Sequence, residues 1–442
     1  MQTVTRLVSS ASLVTLRRLF ALLTLCSTIR FIAYGWVETQ ILQPNWLFPF
    51  DGFEWLPRPN TEGAILLFTG MILGSCLMLF DKVVRLGAFI FFCCFTYVEL
   101  LDKCNYLNHY YFVSLVAFLL ILVPTRSDRP VVPLFMKLVF QGLLALVYFF
   151  AGLAKLQSDW LIEALPLSIW LPQHSSLPII GPLLAERWVA YAFSWGGAAF
   201  DLIAPFALFS HKIRPWFYPI LVVFHVLTWV LFPIGIFPWV MILSTTVFFR
   251  DVWHVSLWER LGLPLTKTAD FDAMSHSRFG WQFAAMTVFF IFQVIFPWRY
   301  LAYPGNLFWH ETGYRFGWRV MLMEKAGMAT FFVNEGSGVE QIFELDKVLT
   351  PYQIKMTATQ PDLLRQVARR IAAENEGEER VRAEVWVSMN GRRSQLFVDP
   401  FEDLSASINS WAPRHYVLPL DSVIRPAEWN RIREQVRNER GW

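Results

Sequence analysis

Long apolar stretches alternate with short polar ones along the first two thirds of the chain. A helix needs roughly 20 mainly apolar residues to cross the hydrocarbon layer of a membrane. The eighth stretch is shorter than the others and contains Pro238. The pattern predicts about nine transmembrane helices, near residues 14–36, 62–80, 84–101, 106–124, 133–154, 186–209, 215–233, 235–249 and 279–297.

The pattern changes after about residue 299, where charged residues become frequent and the long apolar runs stop. ATFFV and EQIFEL flank the turn-prone NEGSG and predict a β-hairpin. PDLLRQVARRIAAENE has apolar residues at helical spacing, and AEVWVSM and SQLFV flank Asn390–Gly391, the favoured two-residue hairpin connection. We therefore predict a polytopic α-helical membrane protein with a helical domain over 1–298 and a small α+β domain over 299–442.

Composition supports a membrane protein. The 442 residues are 55% hydrophobic and only 17% charged, which is less charge than a soluble domain carries. The net charge of +3 is too small to indicate a nucleic-acid partner. The five cysteines lie mostly within apolar stretches, and neither CxxC nor HExxH occurs, so we predict no metal site. We also expect no removable signal peptide.

The distribution of lysine and arginine predicts an orientation. Cytoplasmic segments of membrane proteins carry an excess of these residues. If the N-terminus is cytoplasmic, the outside segments before the last span hold Arg58, Lys103, Lys155 and Arg187. The inside segments then hold the larger set, which is Arg6, Lys82, Arg85, Arg126, Arg129, Lys212, Arg214, Arg250, Arg260, Lys267 and Arg278. The C-terminal domain is thereby predicted to be extracytoplasmic.

Lys155 ends the fifth apolar stretch in the sequence AGLAKLQSDW. Its ammonium group can reach the membrane interface while its stem stays in lipid, which is a purely anchoring role. Alternatively, burial favours the free amine, which can accept a proton. Asp159 lies four residues later and would oppose this by stabilising the ammonium. Both interpretations stay open at the level of sequence.

Two histidines are further candidates. CNYLNHYYF places Asn108 and His109 at the start of the fourth stretch, on the same predicted side of the membrane as Lys155. His109 is either an interfacial histidine or a proton carrier or ligand donor. His225, in VVFHVLTWV, lies deeper in the seventh stretch and is either a packing hydrogen-bonder or part of a site.

An aspartate and an aromatic loop complete the set. SWGGAAFDLIAP contains Gly196–Gly197, which we interpret as a close-packing pair, followed by Asp201. A carboxylate within a span must be paired or protonated, and Arg30 is one possible structural partner. The loop GWVETQILQPNWLFPFDGFEWLPRP is either an interfacial lid, a re-entrant segment or an aromatic anchor. Together these residues predict an apolar chamber suited to a lipophilic ring such as a quinone.

Several stretches resemble the vitamin K-dependent gamma-carboxylase family and its bacterial relatives with the HTTM membrane domain. They are FPFDGFEWLP, TYVELLDKCNYLNHYYFVSLVAF, VYFFAGLAKLQSDW, SWGGAAFDLIAPF and FHVLTWVLFPIGIFPW. These occur in the family's order over more than 200 residues of the helical part. A looser similarity continues through YRFGWRVMLMEK and VWVSMNGRRSQLFVDP.

The resemblance implies chemistry that residues alone do not. In the family, a lysine deprotonates reduced vitamin K, and reaction with O2 produces a strong base that removes a γ-proton from glutamate. CO2 then adds to the carbanion, and the quinone leaves as its epoxide. Matching motifs assign the initiating base to Lys155 and a further catalytic role to His109, with Asn108, His225 and Asp201 expected to bind the hydroquinone or menaquinol. A glutamate-containing peptide or protein is the implied acceptor.

Some features depart from the animal members. A histidine expected near MEKAGMATFF is absent, with Glu324, Lys325 and Gly327 in that stretch. We therefore expect quinone oxygenation more strongly than glutamate carboxylation. A non-catalytic quinone- or lipid-binding receptor or assembly factor is the alternative, and a transporter is a weaker one because no internal repeat is found. The short loops favour a bacterial inner membrane.

Overall fold

The helices and strands form two packed parts in the computed structural model. It describes residues 6–127, 130–263, 265, 280–334, 340–374, 380–406 and 411–420. We call the first part the helix layer, which comprises residues 6–302, and the second the sheet region, which comprises 325–420. The predicted NEGSG turn, from residue 335 onward, and Arg129, Lys267 and Arg278 lie outside the described residues.

Apolar helices build the helix layer. Seven helices in the described part of the chain are long and apolar enough to cross a membrane. They are α1 (Ala11–Ala33), α2 (Thr61–Met78), α3 (Val84–Leu101), α5 (Leu134–Ala154), α6 (Arg187–Phe209), α7 (Arg214–Leu231) and α10 (Gly280–Ile295), the last continued by a 3₁₀ helix to Ala302. The helices α4 (Asn108–Leu122) and α8 (Phe237–Ser244) are shorter, and α9 (Asp251–Arg260) is less apolar than the others. The protein is an integral membrane protein, and the total of nine spans stays a prediction.

Each helix satisfies its own backbone polar groups, which is why apolar chains cross membranes in this form. The start of α2 has an additional cap, since Asn60 Oδ1 accepts a hydrogen bond from Gly63 N over 2.8 Å. A short antiparallel pair of strands, β1 (Leu7–Ser9) with β2 (Val131–Pro133), joins the start of α1 to the start of α5.

Helices α5 and α6 approach each other closely at one glycine. A Cβ atom at Gly152 would lie 2.9 Å from the backbone nitrogen of Leu202 and 2.8 Å from its Cγ. The pair Gly196–Gly197 was expected to serve close packing, and this was wrong. A Cβ at Gly196 would meet nothing within 4 Å, and one at Gly197 would meet only Trp160 at 3.9 Å.

The sheet region contains, in its described part, an antiparallel sheet with strand order β4-β3-β5-β6. The strands are β3 (Lys325–Asn334), β4 (Glu340–Phe343), β5 (Val381–Met389) and β6 (Gln395–Leu396). Helices α11 (Pro351–Thr359) and α12 (Pro361–Glu374) pack on the sheet. The alternating burial along β5 places its odd-numbered residues in a core with Phe331, Leu364 and Val367.

The strands predicted for both hairpins pair, and the helix predicted between them is present over its described part, Pro361–Glu374. The prediction of a two-residue connection at Asn390–Gly391 was wrong in one respect, because the connection is longer. Both residues have positive φ, of 51° and 74°, as a tight turn requires. However, strand pairing resumes only at Gln395, which faces Val387. The longer connection frees the side chains of this turn for other contacts.

The sheet region packs against one end of the helix layer. Tyr352 OH donates to the carbonyl of Cys104 over 2.9 Å, and Gln353 Nε2 donates to the carbonyl of Trp46 over 2.8 Å. Trp46 and Phe48, from the aromatic loop, are buried in the core of the sheet region, whereas Trp55 is exposed. The loop is therefore part of the interface between the two parts.

We expect Gly152→Val to destabilise the protein and Gly196→Val to be nearly neutral. Both changes replace glycine by the same residue in a helix, but only the first forces α5 away from the Leu202 backbone. Overpacking of this kind costs about 1–3 kcal/mol. Unfolding of the two purified variants in detergent measures the difference, and equal stabilities would contradict this account of the contact.

Candidate functional site

An apolar cavity lies between α5, α6, α7 and α8. It contains about 800 Å³ of space between protein atoms, with its mouth included. Its lining is mainly apolar, as is typical of sites for small apolar ligands. The cavity lining includes Tyr148, Lys155, Trp160, Gly197, Asp201, His225 and Phe237.

Lys155 and Asp201 form a buried ion pair in the wall of this cavity. Lys155 Nζ donates to Asp201 Oδ2 over 2.6 Å and to the carbonyl of Ala151 over 3.2 Å. The pairing of Asp201 with Arg30 is thus wrong. The expectation that Asp159 is the carboxylate acting on Lys155 is also wrong, because Asp159 binds Arg392 and Asn390 of the sheet region.

The surroundings of the pair are apolar. The side chains of Lys155 and Asp201 are 9% and 6% exposed, and the Lys155 ammonium lies 5.4 Å from the centre of the Trp160 ring. A lone charge in such a place is very costly, whereas two opposite charges in hydrogen-bonding contact stabilise each other. Because the amine ends α5 and the carboxylate lies within α6, the close contact at Gly152 helps to bring them together.

His225 lies in the same cavity. Its Nε2 shares a 2.8 Å hydrogen bond with the hydroxyl of Tyr148, two helical turns before Lys155 on α5. Its Nδ1 is buried without a hydrogen-bond partner among the residues that the structure describes. A buried nitrogen of this kind is free to bind a polar group of a ligand.

A second cavity, which we call the polar cavity because charged residues line part of it, lies between the helix layer and the segment that leads into the sheet region. It contains about 1170 Å³ of space between protein atoms, again with its mouth included. Its lining is rich in charged side chains, namely Lys103, Glu311, Arg315, Arg319, Lys325 and Lys355. The apolar and polar cavities share a wall formed by Ile234, Phe237, Val320 and Met321.

Asn108 and His109 lie in the polar cavity rather than beside Lys155. Asn108 Nδ2 donates to the carbonyl of Arg319 over 2.6 Å, which joins α4 to residues 311–321, which we call the wall segment. The Phe237 ring packs against His109 at 5.5 Å and against His225 at 6.0 Å between ring centroids. The predicted site residues therefore form two groups, with Phe237 between them.

Several cations of the polar cavity are already paired. Lys325 Nζ donates to Glu311 Oε1 over 2.6 Å, and burial lowers the pKa of this lysine although Glu311 opposes the shift. Arg315 binds Asp362, and burial alone would raise the pKa of Asp362, but Arg315 holds it well below its ordinary value. Arg319 differs, because it donates hydrogen bonds to the carbonyls of Gly313, Gly317 and Pro297.

The wall segment has an unusual backbone. Between residues 311 and 321, all of which are described, Glu311, Phe316, Trp318 and Met321 have φ between 54° and 59°. Side chains other than glycine rarely adopt this left-handed conformation, and such residues cluster at functional sites. The segment lines both cavities, so its conformation bears directly on their shape.

Some of these residues were not found from the sequence. Tyr148 carries a detectable signal, since its spacing of seven from Lys155 places both on one face of α5. Arg319, Met321 and Arg392 carry none, because only the folding of the chain after α10 onto the helix layer brings Arg319 and Met321 to the cavities and Arg392 to Asp159.

Comparison with protein families agrees with this organisation. The HTTM domain model matches residues 5–253, and the model of the vitamin K-dependent gamma-carboxylase lumenal domain matches residues 279–423. No solved structure matches the chain. The first match covers more than half of the chain, and the two follow each other in order. The protein belongs to the vitamin K-dependent gamma-carboxylase family.

Proposed function

We propose that the protein is a membrane enzyme that oxygenates a reduced lipophilic quinone to its epoxide, with Lys155 as the initiating base. The observation that carries this proposal is the Lys155–Asp201 pair in the wall of the apolar cavity. A lysine that served only as an anchor would point its ammonium to water, whereas this one is buried against a carboxylate.

The residues of the cavity fit a hydroquinone. Aromatic and aliphatic side chains surround the space for a flat ring, and the amine of Lys155 and the unpartnered Nδ1 of His225 are available for its two oxygens. When bound, the quinone supplies the redox chemistry with O2 that side chains lack. The chain itself supplies binding, orientation and proton transfer.

Lys155 would accept the proton of a hydroquinone hydroxyl on Nζ. In the form that accepts this proton, Nζ would be a neutral amine with a free lone pair, 2.6 Å from the Asp201 carboxylate. Once Nζ is an ammonium, Asp201 as a carboxylate stabilises it. The apolar lining excludes water, which would otherwise quench a strong base.

The polar cavity is our candidate for the acceptor, with carboxylation of a glutamate side chain by CO2 as the second half of the reaction. Arg319 and Lys355 offer positive charge to a carboxylate. His109 and Asn108 lie at the same place, one Phe237 ring away from His225. This arrangement would hold the acceptor beside the wall that separates it from the quinone.

A non-catalytic quinone-binding receptor is the second candidate. The stretch in which the animal members have a histidine contains Lys325 instead, and Lys325 forms an ion pair with Glu311. The absence of that histidine favours a function without catalysis. For either function, the lysine and arginine bias supports a cytoplasmic N-terminus and an extracytoplasmic sheet region, and the short loops support a bacterial inner membrane.

Replacement of Lys155 by methionine should abolish turnover while quinone binding persists. Loss of a general base lowers the rate by about 10²–10⁴-fold. The assay is epoxide formation from a reduced naphthoquinone and O2 by the purified protein in nanodiscs. Labelled CO2 with a glutamate-containing peptide tests the carboxylation step separately.

Lys137→Met is the matched control, since Lys137 lies at the other end of α5 and pairs with Asp251. Its turnover should stay close to that of the native protein. Binding without epoxide formation by the native protein would instead support the receptor, and equal turnover by Lys155→Met and the native protein would exclude Lys155 as the base.

Gly197→Leu should weaken quinone binding, and Gly196→Leu should not. The first leucine enters the apolar cavity beside Trp160, whereas the second points into open space on the same helix. Filling a binding pocket by a few carbon atoms costs about tenfold or more in affinity. Binding of a radiolabelled quinone in nanodiscs measures both, and equal affinities would place the ligand elsewhere.

A further inference from the structure

The turn after β5 contacts the chain segment that follows Lys155. Arg392 donates to both carboxylate oxygens of Asp159, each over 2.7 Å, and Asn390 Nδ2 donates to Asp159 Oδ2 over 2.8 Å. More than 230 residues separate these partners along the chain. The Arg392 side chain is 3% exposed and that of Asp159 is 12% exposed. This two-pronged geometry is the most specific that arginine forms with a carboxylate.

Asp159 belongs to a short segment that Lys155 begins. Lys155 ends α5, the amide of Gln157 donates to the carbonyl of Lys155, and Asp159 is the second residue of a single helical turn, Ser158–Leu161. Trp160, the next residue, lies under the Lys155 ammonium and donates through Nε1 to the carbonyl of Ser194 on α6. The segment is thus held at one side by α6 and at the other by the sheet region.

The same turn also contacts the polar cavity. Asn390 Oδ1 accepts from the amide of Glu324, and the amide of Asn390 donates to the carbonyl of Glu324. Lys325, which follows Glu324, lines that cavity. Asn390 therefore joins the strand beside the polar cavity to the segment that carries Lys155.

The hydrogen bonds from Arg392 and Asn390 stabilise the charged form of Asp159. Burial alone would raise the pKa of Asp159, but the hydrogen bonds from Arg392 and Asn390 lower it below its ordinary value. The carboxylate consequently stays charged under mildly acidic conditions. Removal of one partner from a buried ion pair leaves an uncompensated charge, so that the segment would rearrange.

We propose that Arg392 and Asn390 are positioning residues for Lys155. Through Asp159 they fix the segment 155–161, so that the amine remains between Asp201 and Trp160 and does not turn away from the apolar cavity. This inference rests on the proposed function for its catalytic consequence only. Its structural part, the protection of the Lys155 amine by a turn of the sheet region, stands independently.

The test is the reactivity of Lys155 in the full chain in nanodiscs. Acetic anhydride acetylates free amines, and mass spectrometry gives the rate at each lysine, with Lys137 as internal standard. We expect Lys155 to react about tenfold faster in Arg392→Gln and Arg392→Lys than in the native protein. Misplacement of a catalytic group by about 1 Å costs up to about 10²-fold in rate, so kcat should fall and its pH profile should move.

Tyr352→Phe is the control, because it removes a hydrogen bond between the same two parts of the protein away from Lys155. Its acetylation rate at Lys155 and its pH profile should match the native ones even if its unfolding temperature falls. Equal changes in Arg392→Lys and Tyr352→Phe would reduce Arg392 to a docking residue and overturn the proposal.

The two proposals fail separately. Faster acetylation in both Arg392 variants, with no epoxide formed by any protein, would retain the positioning role and remove the proposed function. Unchanged acetylation of Lys155 in the Arg392 variants, with epoxide formed at a lower kcat, would remove the positioning role and retain the proposed function. If Arg392→Gln fails to fold, Arg392→Lys keeps the charge and still alters the two-pronged geometry.

Discussion

An ammonium group within an apolar layer must have a partner, and the structure around Lys155 follows from that constraint. Its partner, Asp201, lies on another helix, so α5 and α6 must approach closely, which Gly152 permits. The pair lies in the wall of a cavity and has open space on one side. Neighbouring side chains must therefore hold both groups in position. Trp160 below the amine and the Tyr148–His225 contact beside it supply that support.

The division into an apolar and a polar cavity is a second consequence of the same physics. Apolar and charged groups need different surroundings, and the two cavities differ accordingly in their linings. The helix layer alone provides most of the first cavity, whereas the second needs the strained segment 311–321 and the sheet region. The matched lumenal-domain model, which begins at residue 279, spans the last long helix and these elements.

Much of this could be predicted from the sequence, for identifiable reasons. A helix satisfies its own backbone hydrogen bonds, so a long apolar run in a membrane protein is expected to be helical. The positions of the helices could therefore be predicted from the apolar runs. The strands followed from alternation and turn residues. Lys155 stood out because charge is costly there. Its partner could not be predicted, since Asp159 is nearer in sequence and Asp201 nearer in space, and only the crossing of α5 and α6 decides between them. The role of Arg392 depends likewise on docking.

The wall between the two cavities has a consequence of its own. Ile234 and Phe237 come from the helix layer and Val320 and Met321 from the segment before the sheet, and none of the four carries a polar side chain. Small uncharged molecules partition into such apolar surroundings, whereas bicarbonate or hydroxide would have to lose its hydration. The composition of this wall therefore opposes the passage of ions between the two cavities more strongly than that of uncharged molecules.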